Sequence, residues 1–172
     1  MIGTIDKPTS GRVWIDGVAV TALPEAKLYE FRRDKIGFGV QRFNLATRLN
    51  AIENVTLPMM LAEKYRREEA TEKAKLLLRL IGLPVERVKN TPRQLSAGQQ
   101  QMVAMARSLA NDPLFVLADE PTGNLDLESA ARLMSMIRSL NSYMRLTFII
   151  VTHNPEVASV APVIRFMRGG KL

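Results

Sequence analysis

The second half of the chain alternates amphipathic helical patterns with short apolar runs, and this alternation limits the possible folds. Residues 96–110 and 127–144 carry apolar side chains at the spacing of one helix face. Residues 114–118 and 148–151 are apolar throughout and too short for a buried helix. An order of helix, strand, helix, strand requires right-handed crossovers, which make the strands parallel. The sequence therefore predicts an α/β fold in which both strands are buried.

The first half and the C-terminal end of the chain predict further strands. Asp16-Gly17 lies within the largely apolar segment 12–20 and suits the positive φ angles of a two-residue hairpin turn. The apolar runs 36–40 and 163–167 predict a third strand of the sheet and a final edge strand, respectively.

Between these strands, the polar helix formers of residues 51–81 predict a helical region, which ends before Gly82 and Pro84. One face of this region and one face of 127–144 are predicted to be buried. The first face comprises Leu76, Leu77, Leu80 and Ile81. The second comprises Ala130, Leu133, Met134, Ile137, Leu140 and Met144, and Met136 is also expected to lie in or near the core.

The composition excludes several classes of protein. A chain of 172 residues with 47% hydrophobic and 24% charged residues can form one globular domain. It contains no cysteine, which excludes thiolate metal sites, cysteine nucleophiles and disulfides. No apolar run approaches the roughly 18 residues of a membrane span, so a cytoplasmic protein is expected. The net charge of +7 favours anionic partners or reflects solvated surface charge.

Each of the three predicted parallel strands ends in polar residues. These residues are Gln41, Asp119, Glu120, Thr152 and His153. Any one of them alone is compatible with a turn or a cap. Ligands of open parallel sheets bind beyond the carboxyl ends of the strands, so the five together predict one ligand crevice.

These residues suit phosphoryl transfer. The carboxylate of Asp119 is a hard oxygen ligand for Mg²⁺, and Glu120 can polarise a water molecule as a general base. Gln41 and His153 can orient that water and contact the γ-phosphate of a nucleotide.

The segment Ser96-Ala97-Gly98-Gln99 has two interpretations. Its S-x-x-Q pattern is a capping box for the helix that follows. A helix N-terminus with a glycine that permits close approach is also an anion site. The spacing of this segment from residues 114–120 and 123–126 favours a role beyond capping.

These segments resemble the nucleotide-binding domain of ABC transporters over essentially the whole chain. Residues 95–99 are similar to the signature LSGGQ, residues 115–120 to the Walker B strand and its catalytic glutamate, and residues 123–126 to the D-loop. Gln41 and His153 match the Q-loop glutamine and the switch histidine. Residues 41–58 and 120–126 most resemble the subgroup that serves lipoprotein-releasing and macrolide-export permeases.

The resemblance implies a single ABC ATPase domain over residues 1–172. Its RecA-like P-loop NTPase core would carry an inserted helical subdomain at about residues 50–112, which contacts an integral-membrane permease on the cytoplasmic face. Glu120 and His153 would be catalytic, and Asp119 and Gln41 would bind Mg²⁺. No nucleic-acid partner is expected.

The resemblance also implies a second nucleotide-binding subunit. Two such domains, identical or different, would close head to tail around two ATP molecules. Ser96, Gly98 and Gln99 of one subunit would then contact nucleotide held by the other, with Asp126 at the interface and Gln41 at the nucleotide of its own site.

The sequence departs from the family pattern in three places. Ala97 replaces a glycine of the signature, and Met102 stands where the family usually has arginine. The motif G-x-x-x-x-G-K-[ST] does not occur in the 172 residues, so the chain is expected to lack the N-terminal strand and Walker A loop and to have little ATPase activity alone.

Two other functions compete with an ATP-hydrolysing transporter subunit. One is a non-catalytic partner that contributes its signature to the ATP site of another subunit. The other is an ABC ATPase of the DNA-repair type, which would suit the positive charge. Residues 50–92 are too short for the coiled-coil arm of such a protein, and the chain has no cysteine pairs for a zinc module.

Overall fold

A computed structural model describes residues 1–39 and 44–170. In these ranges the helices are α1 Glu25–Lys35, α2 Ala51–Leu61, α3 Arg67–Leu80, α4 Ala97–Ser108, α5 Leu127–Met144 and α6 Pro155–Ser159. The strands are β1 Trp14–Ile15, β2 Val18–Ala19, β3 Ile36–Gly39, β4 Phe115–Asp119 and β5 Thr147–Val151. None of the helices in the described ranges has both the length and the apolar character of a membrane span.

Strands β1 and β2 form the predicted hairpin. They pair antiparallel, and the φ angles of Asp16 and Gly17 between them are +50° and +75°. Two positive φ angles are the requirement of a type I′ turn, which explains why this dipeptide connects the strands.

The strands β3, β4 and β5 form a parallel sheet in that order. Phe115 pairs with Ile36 on one side and with Thr147 on the other. All three strands therefore end at the same edge of the sheet. The α/β architecture and the parallel sheet are confirmed.

Helices α2, α3 and α4 pack against one another around a shared apolar core. Val55 and Met59 of α2, Leu78 of α3 and Val103 of α4 are all fully buried. The region 51–81 is helical as predicted, although residues 62–66 divide it into two helices. The φ angle of Gly82 is +87°, consistent with its predicted position at the end of the region.

A fully buried asparagine organises the connection that enters these helices. The Oδ1 atom of Asn54 accepts a hydrogen bond from Ala46 N at 2.8 Å. Its Nδ2 atom donates to the carbonyl oxygens of Ala46, Leu49 and Asn50. Asn54 thus fixes residues 46–50, which lead into α2.

The predicted buried faces are partly wrong. Leu76 and Leu80 are 63% and 51% exposed, because α3 turns another face towards α2 and α4. That buried face comprises Ala70, Ala74, Leu77 and Leu78, with Ile81 just beyond the helix. Met144 is also exposed, since it lies at the end of α5. Met134 is buried, and Met136 packs against the core as expected.

The predictions for the last two strands need correction. Strand β5 forms, but Val151 is 62% exposed; β5 pairs with β4 alone within the described residues, so its other side is open. Phe148 and Ile150 do pack against the core. Residues 163–167 form no strand, and Phe166 among them is 78% exposed.

Candidate active site

The centre of the candidate site is Glu120, which directly follows β4. Its backbone N–H donates to the carbonyl oxygen of Val151 at 2.9 Å and so continues the contact with β5. Its φ angle is +43°, in the left-handed region, and Pro121 then ends the strand pairing because proline has no N–H to donate. Gly123 N donates to the Glu120 carbonyl at 3.0 Å and closes a turn. This turn directs the chain away from the sheet edge.

The Glu120 carboxylate is bound by the two polar residues that follow β5. The Thr152 hydroxyl donates to its Oε2 at 3.0 Å, and the backbone N–H of His153 donates to its Oε1 at 2.8 Å. The imidazole Nδ1 of His153 lies 2.7 Å from the same Oε1. The sequence prediction that these residues converge at one sheet edge is confirmed for these three.

These contacts control the ionisation of Glu120. Partial burial alone would raise its pKa. The hydrogen bonds from the side chain and backbone of His153 and from Thr152 stabilise the anion, and the net result is a lowered pKa. Glu120 is therefore a carboxylate at neutral pH.

This lowered pKa predicts a pH-dependent stability. The ionised Glu120 stabilises the fold above its usual pKa of 4.5, and this stabilisation is lost as the pH falls through the lower folded pKa. The free energy of unfolding should therefore fall more steeply in the wild type than in Glu120→Gln between about pH 5 and pH 3. Urea unfolding at several pH values measures both profiles, and parallel profiles would contradict this assignment.

Of the two predicted Mg²⁺ ligands, the structure describes only Asp119. Asp119 is exposed at the carboxyl end of β4, opposite Val151 of β5. Gln41 lies outside the described residues, so its convergence with Glu120 stays a prediction. In the part of the chain that the structure describes, no three histidine or acidic side chains are arranged to hold a metal ion.

The predicted capping box at the start of α4 is confirmed. Gln99 N donates to Ser96 Oγ at 3.3 Å, and Ser96 N donates to Gln99 Oε1 at 3.1 Å. Ala97 is exposed, so its extra methyl group points to solvent. A Cβ atom on Gly98 would lie 3.2 Å from Ser129 Oγ, which shows that this glycine also permits close packing of α4 on α5.

Asp126 is first of all a helix cap. Ser129 donates to its carboxylate from the backbone N–H at 2.9 Å and from the hydroxyl at 2.8 Å. These bonds, the backbone one foremost, lower the pKa of Asp126. Because a Cβ atom on Gly98 would also lie close to Ser129, the start of α4 and the start of α5 pack side by side.

One buried residue near the site is not among those that the sequence predicts. Gln101 is 2% exposed and donates from Nε2 to the carbonyl oxygen of Pro121 at 3.0 Å. It is the third of three consecutive glutamines, and the sequence carries no sign of which of them is buried. Met102, one of the three departures from the pattern of the resembled family, packs against the core.

Comparison with known sequences decides the family. A sequence profile described as ABC transporter matches residues 1–123. The chain belongs to the ABC transporter family. This membership confirms the resemblance, and the parallel sheet with its packed helices is the α/β P-loop fold of the family.

Relatives of this ABC family member include the predicted subgroup. It is 44% identical over 161 residues to a lipoprotein-releasing system ATP-binding protein of Chlorobium chlorochromatii, covering 94% of this chain and 65% of that protein. It is 41% identical over 171 residues to a macrolide export ATP-binding/permease protein of Rhodopirellula baltica, covering 99% of this chain and 25% of that protein.

A solved structure supports the same fold. An ATP-binding cassette of Methanocaldococcus jannaschii, determined as a dimer in a post-hydrolysis state with bound ADP and phosphate, superposes with a TM-score of 0.82 at 42% identity. The match covers 92% of this family member and 69% of that chain.

Proposed function

We propose for this chain the function of an ATP-binding and ATP-hydrolysing subunit of an ABC transporter, which couples the ATP-driven closure of two such subunits to a membrane permease. The observation that carries this proposal is the Glu120 carboxylate, held by Thr152 and His153 at the carboxyl edge of the parallel sheet. Family membership and the relative with bound ADP and phosphate support the same reaction.

In this reaction Glu120 acts as the general base. It is ionised at neutral pH, so it can take a proton from the water that attacks the γ-phosphate. The Oε1 atom of Glu120 contacts Nδ1 of His153. The His153 side chain is 86% exposed, so its other ring nitrogen is available to contact the γ-phosphate. The Glu120–His153 pair thus positions the base and the phosphate-binding group together.

Asp119 and Gln41 are the proposed Mg²⁺ ligands. Mg²⁺ is usually bound by one or two protein oxygens together with substrate phosphates, so the exposed carboxylate of Asp119 fits this requirement. The ion, when bound, would neutralise charge on the transferred phosphoryl group.

The start of α4 is the proposed contact with nucleotide bound to a second copy or a similar subunit. Ser96 is exposed, and the helix it caps is 12 residues long, so its N-terminal dipole favours phosphate. Ser96, Gly98 and Gln99 would bind there, and Asp126 would lie at the same interface. The dimeric state of the Methanocaldococcus relative supports this arrangement.

Residues 50–112 are the proposed helical subdomain, and its outer surface is the proposed contact with the permease. Several large apolar side chains on its first two helices, α2 and α3, are exposed and lie outside the described core. They are Leu57, Met60, Leu61, Leu76 and Leu80. This contact would place the subunit at the cytoplasmic face of a membrane.

The 172 residues alone are expected to hydrolyse ATP poorly. They contain no G-x-x-x-x-G-K-[ST] loop, whose backbone N–H groups and lysine bind the β- and γ-phosphates. A loop chimera, in which the strand and phosphate loop of an ABC relative precede this chain, should hydrolyse ATP in the presence of Mg²⁺.

The ATPase assay compares the loop chimera with the chain alone. An inactive, folded chimera would contradict the proposed function, and an active chain alone would contradict the need for the loop. A non-catalytic partner role predicts instead that the chain alone raises the ATP affinity or the dimerisation of an intact subunit. No change in either property would remove that alternative.

A further inference from the structure

The side chain of Gln101 joins the helix that begins at Ser96 to the loop that carries Glu120. Gln101 lies in the second turn of α4 and is 2% exposed. Its Nε2 atom donates to the carbonyl oxygen of Pro121, the residue after Glu120, at 3.0 Å. One side chain therefore connects two segments that are 20 residues apart.

This hydrogen bond explains why a glutamine is buried at this position. Buried amides are normally paired at both ends. Across residues 1–39 and 44–170, the Oε1 atom of Gln101 has no hydrogen-bond partner, so the bond to Pro121 is what holds the amide in place. An apolar side chain would fill the space without leaving an unpaired oxygen, which points to a role for the Nε2 donor.

The loop that Gln101 holds has an unfavourable backbone conformation. Glu120 has a φ angle of +43°, which is uncommon for a residue other than glycine. It also precedes Pro121, and a proline restricts the backbone of the residue before it. Such a conformation persists only where surrounding contacts determine it. The contact on the strand side is the bond from Glu120 N to Val151 O, and Gln101 supplies the contact on the helix side.

We propose that Gln101 is a positioning residue that couples α4 to the conformation of Glu120. A displacement of α4 moves the Pro121 carbonyl through the amide of Gln101 and reorients the adjacent carboxylate. The nucleotide part of this inference rests on the proposed function: α4 contacts ATP held by a second subunit, whereas Glu120 acts on ATP of its own site. Gln101 then links the two ATP sites within one chain.

The neighbouring Gln100 provides a matched control. It lies on the same helix and also donates from Nε2 to a backbone carbonyl, that of Leu95, at 3.1 Å. Leu95 directly precedes the α4 cap, so this bond stays within the same segment. Gln101→Met and Gln100→Met each remove one such donor at almost constant side-chain length.

The first test uses the only histidine of the chain, whose imidazole gives a single set of ring signals in the NMR spectrum of the 172-residue protein. Because His153 Nδ1 contacts Glu120, the ring signals report the position of that carboxylate. We expect Gln101→Met to shift and broaden these signals and Gln100→Met to leave them unchanged. Wild-type signals in folded Gln101→Met, or equal shifts in both variants, would overturn the proposal.

A second measurement covers the case in which Gln101→Met fails to fold. The side-chain amide protons of Gln101 in the wild-type chain should exchange with solvent much more slowly than those of Gln100. Equal exchange rates would overturn the coupling.

The functional test uses the loop chimera. Gln101→Met should lower kcat about tenfold or more with the KM for ATP unchanged, since it misplaces the base and not the bound nucleotide. Gln100→Met should keep both parameters. An unchanged kcat in Gln101→Met would contradict the coupling. An unsubstituted chimera without activity would refute the proposed function instead, and the NMR comparison would still decide the role of Gln101.

Discussion

Glu120→Gln in the loop chimera should lower ATP turnover about 10²- to 10⁴-fold, the range that general-base catalysis contributes. Glutamine has almost the same shape: its single oxygen can keep the hydrogen bonds from His153, and its NH2 group can donate to the Thr152 hydroxyl. Its neutral amide cannot take the proton of the attacking water, so the chemical step should slow while ATP binding persists. Steady-state hydrolysis and equilibrium nucleotide binding measure the two effects separately.

The matched control for this substitution is Glu156→Gln. Glu156 lies in α6, three residues after His153, and is exposed. Its substitution removes the same charge from the same end of the sheet and should change turnover less than twofold. If Glu120→Gln lowers turnover by less than tenfold, or if both variants lose activity equally, Glu120 is not the base.

Gly37→Ala should destabilise the fold by about 3 kcal/mol or more, at the upper end for overpacked interiors. A Cβ atom on Gly37 would lie 2.5 Å from the carbonyl oxygen of Ser108 and 2.9 Å from Cγ2 of Val116. The first atom belongs to the backbone of α4, so the contact can be relieved only by moving β3 away from that helix. Urea unfolding followed by circular dichroism measures the loss.

Gly39→Ala on the same strand is the control for Gly37→Ala. Among the described residues, its nearest neighbour would be Ala118 Cβ at 3.7 Å, an ordinary van der Waals distance. The expected change is within about 0.5 kcal/mol. Equal effects of the two substitutions would show that the close approach of β3 and α4 is not a constraint.

Several elements could be predicted because local sequence determines them. The bounds of α5, Leu127–Met144, follow from apolar periodicity and the Asp126 cap. The Ser96 capping box needs only two residues at the correct spacing. The convergence of Glu120 and His153 follows from parallel strands that end at one edge.

Other features depend on contacts that local sequence does not contain. Leu76 and Leu77 have the same chemistry, and the docking of α3 on its neighbours decides that only Leu77 is buried. The apolar residues of β5 predict a buried strand, but its side chains alternate between exposed and partly buried. Whether both faces of a strand are covered depends on other parts of the structure. The buried Gln101 and the tight contact at Gly37 likewise result from how α4 packs on the sheet and its loops.

We propose that the Glu120 carboxylate, the His153 imidazole and the start of α4 in a second subunit surround the same γ-phosphate. A crystal structure of the Glu120→Gln loop chimera with ATP and Mg²⁺ tests it most directly. We expect a γ-phosphate within hydrogen-bond distance of His153 of one protomer and Ser96 of its partner, with the residue 120 amide facing the attacking water. Nucleotide bound away from His153, or enclosed without Ser96 of a second protomer, would contradict it.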